Sequence, residues 1–203
     1  VELDHVLIAV PDLSSARVEF ETRYGLSSVE GGRHPGWGTA NRIVPLGDAY
    51  LELVAVVDEA EAAASSFGGW VADALADGRE RLLGWAVRTD ELDAVAARLG
   101  LEPQAGARAR PDGTELRWRT AGVELALAEP CLPFFIEWAP DAALPGHAAE
   151  AAGTIERLDL TGDPVRLSAW LGGHALPVSV ERGEPAIRRV VLAVSGRSAA
   201  IDG

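Results

Sequence analysis

Several polar side chains in this chain of 203 residues stand where apolar ones would be expected. Residues 49–57, AYLELVAVV, read as a strand, yet Glu52 lies between Leu51 and Leu53. Residues 133–138, PFFIEW, set Glu137 between Ile136 and Trp138, and HVLIAV opens on His5. The run GGRHPGWGTAN adds His34 and Asn41 just ahead of Glu52. A carboxylate inside an apolar strand is costly unless it is partnered or used. Successive strand side chains point to opposite faces. Glu52 therefore shares a face with Tyr50 and Val54, opposite Leu51, Leu53 and Ala55, and His5 shares one with Leu7 and Ala9. Imidazoles and carboxylates gathered on one face are the groups that transfer protons. The plainer alternative pairs Glu52 and Glu137 with arginines, for which Arg117 and Arg119 are available, and leaves His5 hydrogen-bonded locally.

The elements that must position these residues follow a plan used three times. Residues 5–26, 83–101 and 155–173 each begin with a short apolar strand and reach an aspartate, Asp12, Asp90 or Asp163. An aspartate there accepts from the open N–H groups of a following helix. Each helix stops at a glycine, Gly25, Gly100 or Gly172, which tolerates the left-handed conformation of a helix end. Strands follow at Thr39–Val44 and Ala49–Val57, joined by a turn at Pro45–Asp48. In the second unit they are Gln104–Arg110, Glu115–Thr120 and Pro133–Trp138, with a turn at Pro111–Asp112–Gly113. In the third they are Pro177–Glu181, Ile187–Val194 and Ser198–Ile201, the last two joined across Ser195–Gly196–Arg197. The repeat is a βαβββ unit and the fold class is α+β. Its divisions are 1–58, a first unit; 59–80, a connecting helix; 81–140, a second unit; 141–153, a linker; and 154–203, a third unit. The apolar strands of the third unit need cover, either by docking on the first two or by pairing with a second chain as a homodimer.

Composition removes several functions. The formal net charge is −13, and all 18 basic residues are arginine. Without lysine there is neither a Schiff base nor a phosphate-loop lysine, and the acidic balance argues against nucleic acid. A single cysteine, Cys131, excludes an intrachain disulfide and reads as a small core residue. No apolar run approaches the roughly 20 residues of a membrane span. The acidic start VELDHVLIAV is no signal peptide, so the expected location is cytoplasmic. GWGTAN lacks the strand–turn–helix setting of a dinucleotide fingerprint.

The phrases LDHVLIAVPDL, GGRHPGWGTANRIVPLGDAYLELV and LPFFIEW resemble the glyoxalase-like domain proteins, a branch of the vicinal oxygen chelate superfamily with glyoxalase I, extradiol dioxygenases and bleomycin-resistance proteins. The likeness covers residues 3–138; the third unit follows by pattern alone. It implies paired units whose sheets curl around a cleft, with Phe135 and Glu137 facing the cleft and Phe134, Ile136 and Trp138 packed beneath the helix. It implies metal ligands at His5, Glu52 and Glu137, a set suited to Zn, Mn, Ni or Fe(II), with Glu52 and Glu137 as the catalytic carboxylates. The fourth ligand of the superfamily comes from the first strand of the second unit. Counting back from Asp90 reaches Leu83, and neither it nor Gly84 nor Trp85 can serve, so either the site has three ligands, or His34 or His147 completes it from a loop, or the metal has been lost. Substrate contacts are expected from His34 at the cleft mouth, Asn41, Tyr50, Trp118 and His147. The function implied is a metal-dependent isomerase, lyase or dioxygenase that binds a small oxygenated molecule through two adjacent oxygens. The alternative is a metal-free small-molecule binding protein of the bleomycin-resistance type.

Overall fold

Asp12, three residues beyond the first strand, accepts a hydrogen bond from the Ser15 amide at 2.7 Å, starting a helix that Gly25 closes with φ 69°. The computed structural model describes residues 1–109 and 113–203. The expected end of a strand at Arg110 and the turn residues Pro111 and Asp112 lie outside the described residues. The first unit runs β1 (Glu2–Ala9), α1 (Leu13–Tyr24), β2 (Val29–His34), β3 (Thr39–Leu46) and β4 (Ala49–Val56). Two short helices, α2 (Glu59–Ala63) and α3 (Ser66–Ala74), replace the single connecting helix expected. Ser65 separates them because its hydroxyl caps α3 through the Gly68 amide.

The second unit runs β5 (Arg81–Arg88), α4 (Leu92–Leu99), β6 (Gln104–Ala109), β7 (Glu115–Ala121), a helix α5 (Val123–Ala128) that the sequence pattern did not mark, and β8 (Phe134–Trp138). Its cap differs from expectation. Glu91, not Asp90, stands at the N-cap of α4 and makes no side-chain capping bond. Glu137 Oε1, reaching from β8, accepts from the Leu92 amide at 3.3 Å instead. The third unit runs β9 (Gly153–Gly162), α6 (Pro164–Trp170), β10 (Val178–Arg182), β11 (Ala186–Val194) and β12 (Arg197–Asp202). Here Asp163 does cap its helix, accepting from the Val165 amide at 2.9 Å.

Units one and two share an eight-stranded sheet in the order β2-β3-β4-β1-β5-β8-β7-β6. They join at the antiparallel β1–β5 pair, while β4 and β8 run parallel to β1 and β5. The sheet curls until its edges nearly meet. A Cβ on Gly32, whose φ is +139°, would lie 2.2 Å from the Ala109 carbonyl oxygen on β6, so only glycine fits that seam. The mixed α+β architecture of paired βαβββ units is the one expected.

The third unit forms a four-stranded sheet, β10-β9-β11-β12, and docks within the chain. Its Leu158, Leu160, Val190 and Leu192 share one buried core with Val6, Ile8, Leu51, Leu53, Trp85, Val87 and Phe135 on the outer face of the large sheet. Each such side chain contributes roughly 1.5–3 kcal/mol by leaving water. Trp170 Nε1 donates to the Pro133 carbonyl at 2.8 Å, and Arg98 donates to the Ala169 and Trp170 carbonyls at the end of α6. Among the described residues no helix is long and apolar enough to cross a membrane.

Candidate functional site

Residues of inward parity on the curled sheet enclose a cavity of about 220 Å³. Its charged and strongly polar groups include His5 on β1, His34 on β2, Asn41 on β3, Tyr50 and Glu52 on β4, Arg108 on β6 and Glu124 on α5. Trp37, Phe67, Trp118, Phe134 and Trp138 supply aromatic wall. The inward rows expected for β1 and β4 are those observed: Leu7 and Val54 lie on the cavity side, while Val6, Ile8, Leu51 and Leu53 face the outer core.

Glu52 is 7% exposed. Its Oε1 accepts from Asn41 Nδ2 at 2.6 Å and lies 3.7 Å from His34 Nε2, and its Oε2 lies 3.5 Å from His5 Nε2. The other ring nitrogen of His5, Nδ1, is 2.6 Å from Asp4 Oδ1. Asp4 is buried too, and its Oδ2 accepts from Trp138 Nε1 at 3.0 Å and Arg88 Nη1 at 3.4 Å. Asp4, answered by these donors, holds one ring nitrogen of His5, and the other, Nε2, is turned toward Glu52. The β1–β5 ladder shifts register between Leu3 and His5. That bulge leaves Asp4 as the extra residue and turns it beside the ring of its neighbour. Tyr50 stacks on His5 with centroids 4.6 Å apart, and Phe134 meets it edge-on at 5.5 Å. Burial, foremost, pushes the Tyr50 phenol well above its ordinary range, so it stays a neutral hydroxyl.

His34 corrects the expectation of a loop residue at the cleft mouth. It ends β2 and is 3% exposed. Its Nδ1 lies 2.9 Å from Thr39 Oγ1 and its Nε2 lies 3.3 Å from Asn41 Nδ2. The Asn41 amide donates to both Glu52 and His34, which assigns the His34 proton to Nδ1. Burial lowers the His34 pKa; Glu52 opposes the shift and Arg108 adds to it. The Asn41 Oδ1 is buried with no hydrogen-bond partner among the described residues. It fills the place of a side chain at position 31, where a Cβ would approach it to 2.0 Å. The β2–β3 ladder shifts register between Glu30 and Gly32, leaving Gly31 as the extra residue beneath that amide.

The expected rows on β8 are reversed. Phe134, Ile136 and Trp138 border the cavity, whereas Phe135 packs outward against Trp170 at 5.9 Å. Glu137 therefore lies on the outer face, away from His5 and Glu52. There it accepts from Arg119 Nη2 at 2.5 Å and Nε at 2.9 Å, and caps α4. The reason is register: β8 pairs Phe134 with Ala86 and Phe135 with Val87, and partners across a ladder share a face. Apolar residues in both rows of PFFIEW left alternation no signal to read. His147 also stands elsewhere. It is exposed on a 3₁₀ turn (Pro145–His147), 3.3 Å from Asp48 Oδ1, and is not a cavity wall residue. Trp118 and Tyr50 do line the cavity. Asp4, Arg108, Trp37 and Phe67 escaped the sequence reading. Only parity along QAGARA hinted at Arg108, and nothing in the sequence marks the bulge at Asp4.

The site is lopsided. Gly84 stands as far before the cap Glu91 as His5 stands before Asp12, and Phe134 faces Ala86 as Glu52 faces Leu7. The second unit thus carries glycine and phenylalanine where the first carries histidine and glutamate. Among the described residues no three His, Cys, Asp or Glu side chains are drawn together tightly enough to hold a metal ion. By donor type alone, the imidazoles of His5 and His34 and the Glu52 carboxylate are groups that suit a divalent ion, though they are not gathered into a metal site and His34 Nε2 faces the Asn41 amide.

A curled sheet of two paired βαβββ units around an interior cavity defines a glyoxalase-fold protein. The glyoxalase-like domain family matches residues 3–199, and the chain belongs to that family. Among solved structures, a hypothetical protein from Staphylococcus aureus superposes with a TM-score of 0.69 at 14% identity, covering 98% of each chain. The methylmalonyl-CoA epimerase from Mycobacterium tuberculosis is 24% identical, with a TM-score of 0.49 over 70% of this chain and 89% of its own. A single-residue variant of the Streptomyces coelicolor methylmalonyl-CoA epimerase, in complex with 2-nitronate-propionyl-CoA, is 20% identical, with a TM-score of 0.48 over 70% of this chain and 99% of its own. No curated protein matches the sequence.

Proposed function

We propose that the cavity is the active site of an enzyme acting on a small oxygenated organic molecule, with Glu52 as the proton-transferring group. The observation that carries this reading is the Glu52 carboxylate, buried between the Nε2 atoms of His5 and His34 at 3.5 and 3.7 Å. The gap between the carboxylate and the two ring nitrogens leaves a place for a shared proton. In the reaction Glu52 takes a proton from the carbon beside a substrate carbonyl, and the C–H electron pair moves into the carbonyl as an enolate. Glu52 shares the proton with His5 Nε2, where Asp4 stabilises the imidazolium, and returning it to carbon completes an isomerisation. The aromatic walls exclude water and orient the substrate plane. A divalent ion, when bound, would be held by His5, His34 and Glu52 and would supply Lewis acidity toward the substrate oxygens.

A metal-free binding protein is the second reading, favoured by the glycine and phenylalanine that stand in the second unit for histidine and glutamate. The two separate in D₂O. Proton NMR of small 2-oxo acids, 2-hydroxy acids and 1,3-diketones should show carbon-bound hydrogen exchanging with wild-type protein and not with Glu52→Gln. Ligands that quench tryptophan fluorescence without exchange would leave the binding protein standing. Calorimetric titration of chelator-treated protein with Mn, Ni, Zn and Fe(II), for wild type and Glu52→Gln, decides the metal.

A further inference from the structure

We propose that this cavity takes an uncharged, single-ring aryl carbonyl compound and turns acids away. The proposal rests on the reading of the cavity as the site of proton transfer and names the substrate class. Among the described lining residues the acids are Glu52, buried, and Glu124, exposed at the rim on the first turn of α5. Both repel a carboxylate ligand. Arg108 offers no compensating fork, since its Nη1 is buried at the seam, 3.4 Å from where a Gly32 Cβ would stand. The net charge of −13 adds repulsion at long range. A cation finds no unanswered charge at depth either. Glu52 already accepts from Asn41 and borders two imidazoles, and the charges of Glu52 and Arg108 act on His34 and on Tyr50 with opposite signs. A ligand therefore meets mainly ring surface from Trp37, Phe67, Trp118 and Phe134, with the Thr120 hydroxyl and the Gln104 amide on the facing strands β7 and β6. Such surface packs against a planar ring, and a neutral carbonyl loses far less than an ion by leaving water.

The size limit is built into the wall. At about 220 Å³ the cavity lies below the roughly 300–1,000 Å³ of drug-sized sites. Phe67, in the first turn of α3, stands 5.0 Å from Trp37 and 6.1 Å from His34 between ring centroids. Its helix is held in place by the turn before β3. A Cβ on Gly68 would lie 2.2 Å from the Trp37 carbonyl oxygen, and Ser65 Oγ donates to that same oxygen at 3.3 Å. Glu61, on α2, accepts from the Gly36 amide at 2.7 Å and from Arg33 at 2.8 Å. Phe67 is thus fixed where a second ring of the ligand would have to lie.

Tryptophan fluorescence quenching, checked by calorimetry, tests this with three ketones that share a benzyl group and differ in charge: phenylpyruvamide, phenylpyruvate and 1-amino-3-phenylpropan-2-one. Wild-type protein should bind the neutral amide at least about 10-fold more tightly than either ion. Glu124→Gln should narrow the gap to the acid by roughly 2- to 5-fold, the scale of an exposed charge, and added salt should narrow it likewise. The 2-naphthyl analogue of the amide should bind wild type at least about 10-fold more weakly than phenylpyruvamide and should recover in Phe67→Ala. The acid binding as tightly as the amide, the amine binding best, a gap that Glu124→Gln leaves unchanged, a naphthyl preference in wild type, or no binding by any of the series would each overturn the proposal. Should Phe67→Ala fail to fold, the wild-type rankings still decide. Amide binding without hydrogen exchange in D₂O would sink the catalytic reading and leave this one; exchange of phenylpyruvate in preference to the amide would do the reverse.

Discussion

The indole of Trp70, on α3, lies over Gly84 on β5: a Cβ at position 84 would approach Trp70 Cη2 to 2.8 Å. This glycine stands in the second unit where His5 stands in the first. The place that matches His5 in the second half is therefore filled by an aromatic ring from the connecting segment.

That contact should be measurable as coupling. Gly84→Ala should cost about 1–3 kcal/mol by overpacking, while Trp70→Ala removes the obstacle. In a double-mutant cycle read by urea denaturation, the added methyl should be tolerated in the Trp70→Ala background, with a coupling of about 1 kcal/mol or more. Additive effects would show that the ring has room to move aside.

Gly31→Ala should act on the carboxylate at one remove. Its Cβ would strike Asn41 Oδ1 and displace the amide that donates to Glu52 Oε1. We expect a loss of about 1–3 kcal/mol of stability, since a buried carboxylate loses its donor. Asn41→Ala removes the same bond without overpacking, and in that background Gly31→Ala should be nearly neutral by thermal denaturation.

His34 gives the protein a pH dependence of definite sign. Its folded pKa lies below the ordinary value of about 6.5, through burial first. The unfolded chain then binds the proton more readily, so stability is full above about pH 6.5 and falls as pH drops toward the folded value. Urea midpoints measured between about pH 8 and pH 5 should decline across that window, and His34→Gln should flatten this part of the slope. By NMR titration, Arg108→Gln should raise the His34 pKa and Glu52→Gln should lower it further, because each removes a neighbouring charge of known sign.

Removing residues 154–203 should leave the remainder unable to unfold cooperatively. The third unit covers the outer face of the large sheet, and its loss would expose Leu51, Leu53, Trp85 and Val87. Calorimetry of the truncated chain should show a broad, lowered transition or none. A sharp transition at the full-length temperature would mean that the second sheet supports nothing.

Much of the fold was legible because it rests on local chemistry. Asp12 and Asp163 cap helices, Gly25 and Gly100 close them in the left-handed conformation, and LELVA alternates strictly enough to turn Glu52 inward. Where local chemistry was ambiguous, reading failed. FFIEW is apolar in both rows, so the face of Glu137 could not be taken from alternation, and the capping role expected of Asp90 belongs to Glu137 across the fold.

The sequence by itself determined three βαβββ units, an acidic lysine-free composition, and the inward faces of His5 and Glu52, because strand parity and helix caps act between near neighbours along the chain. Tertiary structure alone decided which groups answer them. The bulges at Asp4 and Gly31 arise from pairing with other strands, and they set the ring of His5 and the amide of Asn41. Curling of the sheet brought β6 and β2 edge to edge, and so placed Arg108 in a cavity with His34 and Glu52. Contacts of that kind depend on register and closure, which the pattern of residues along a single strand does not encode.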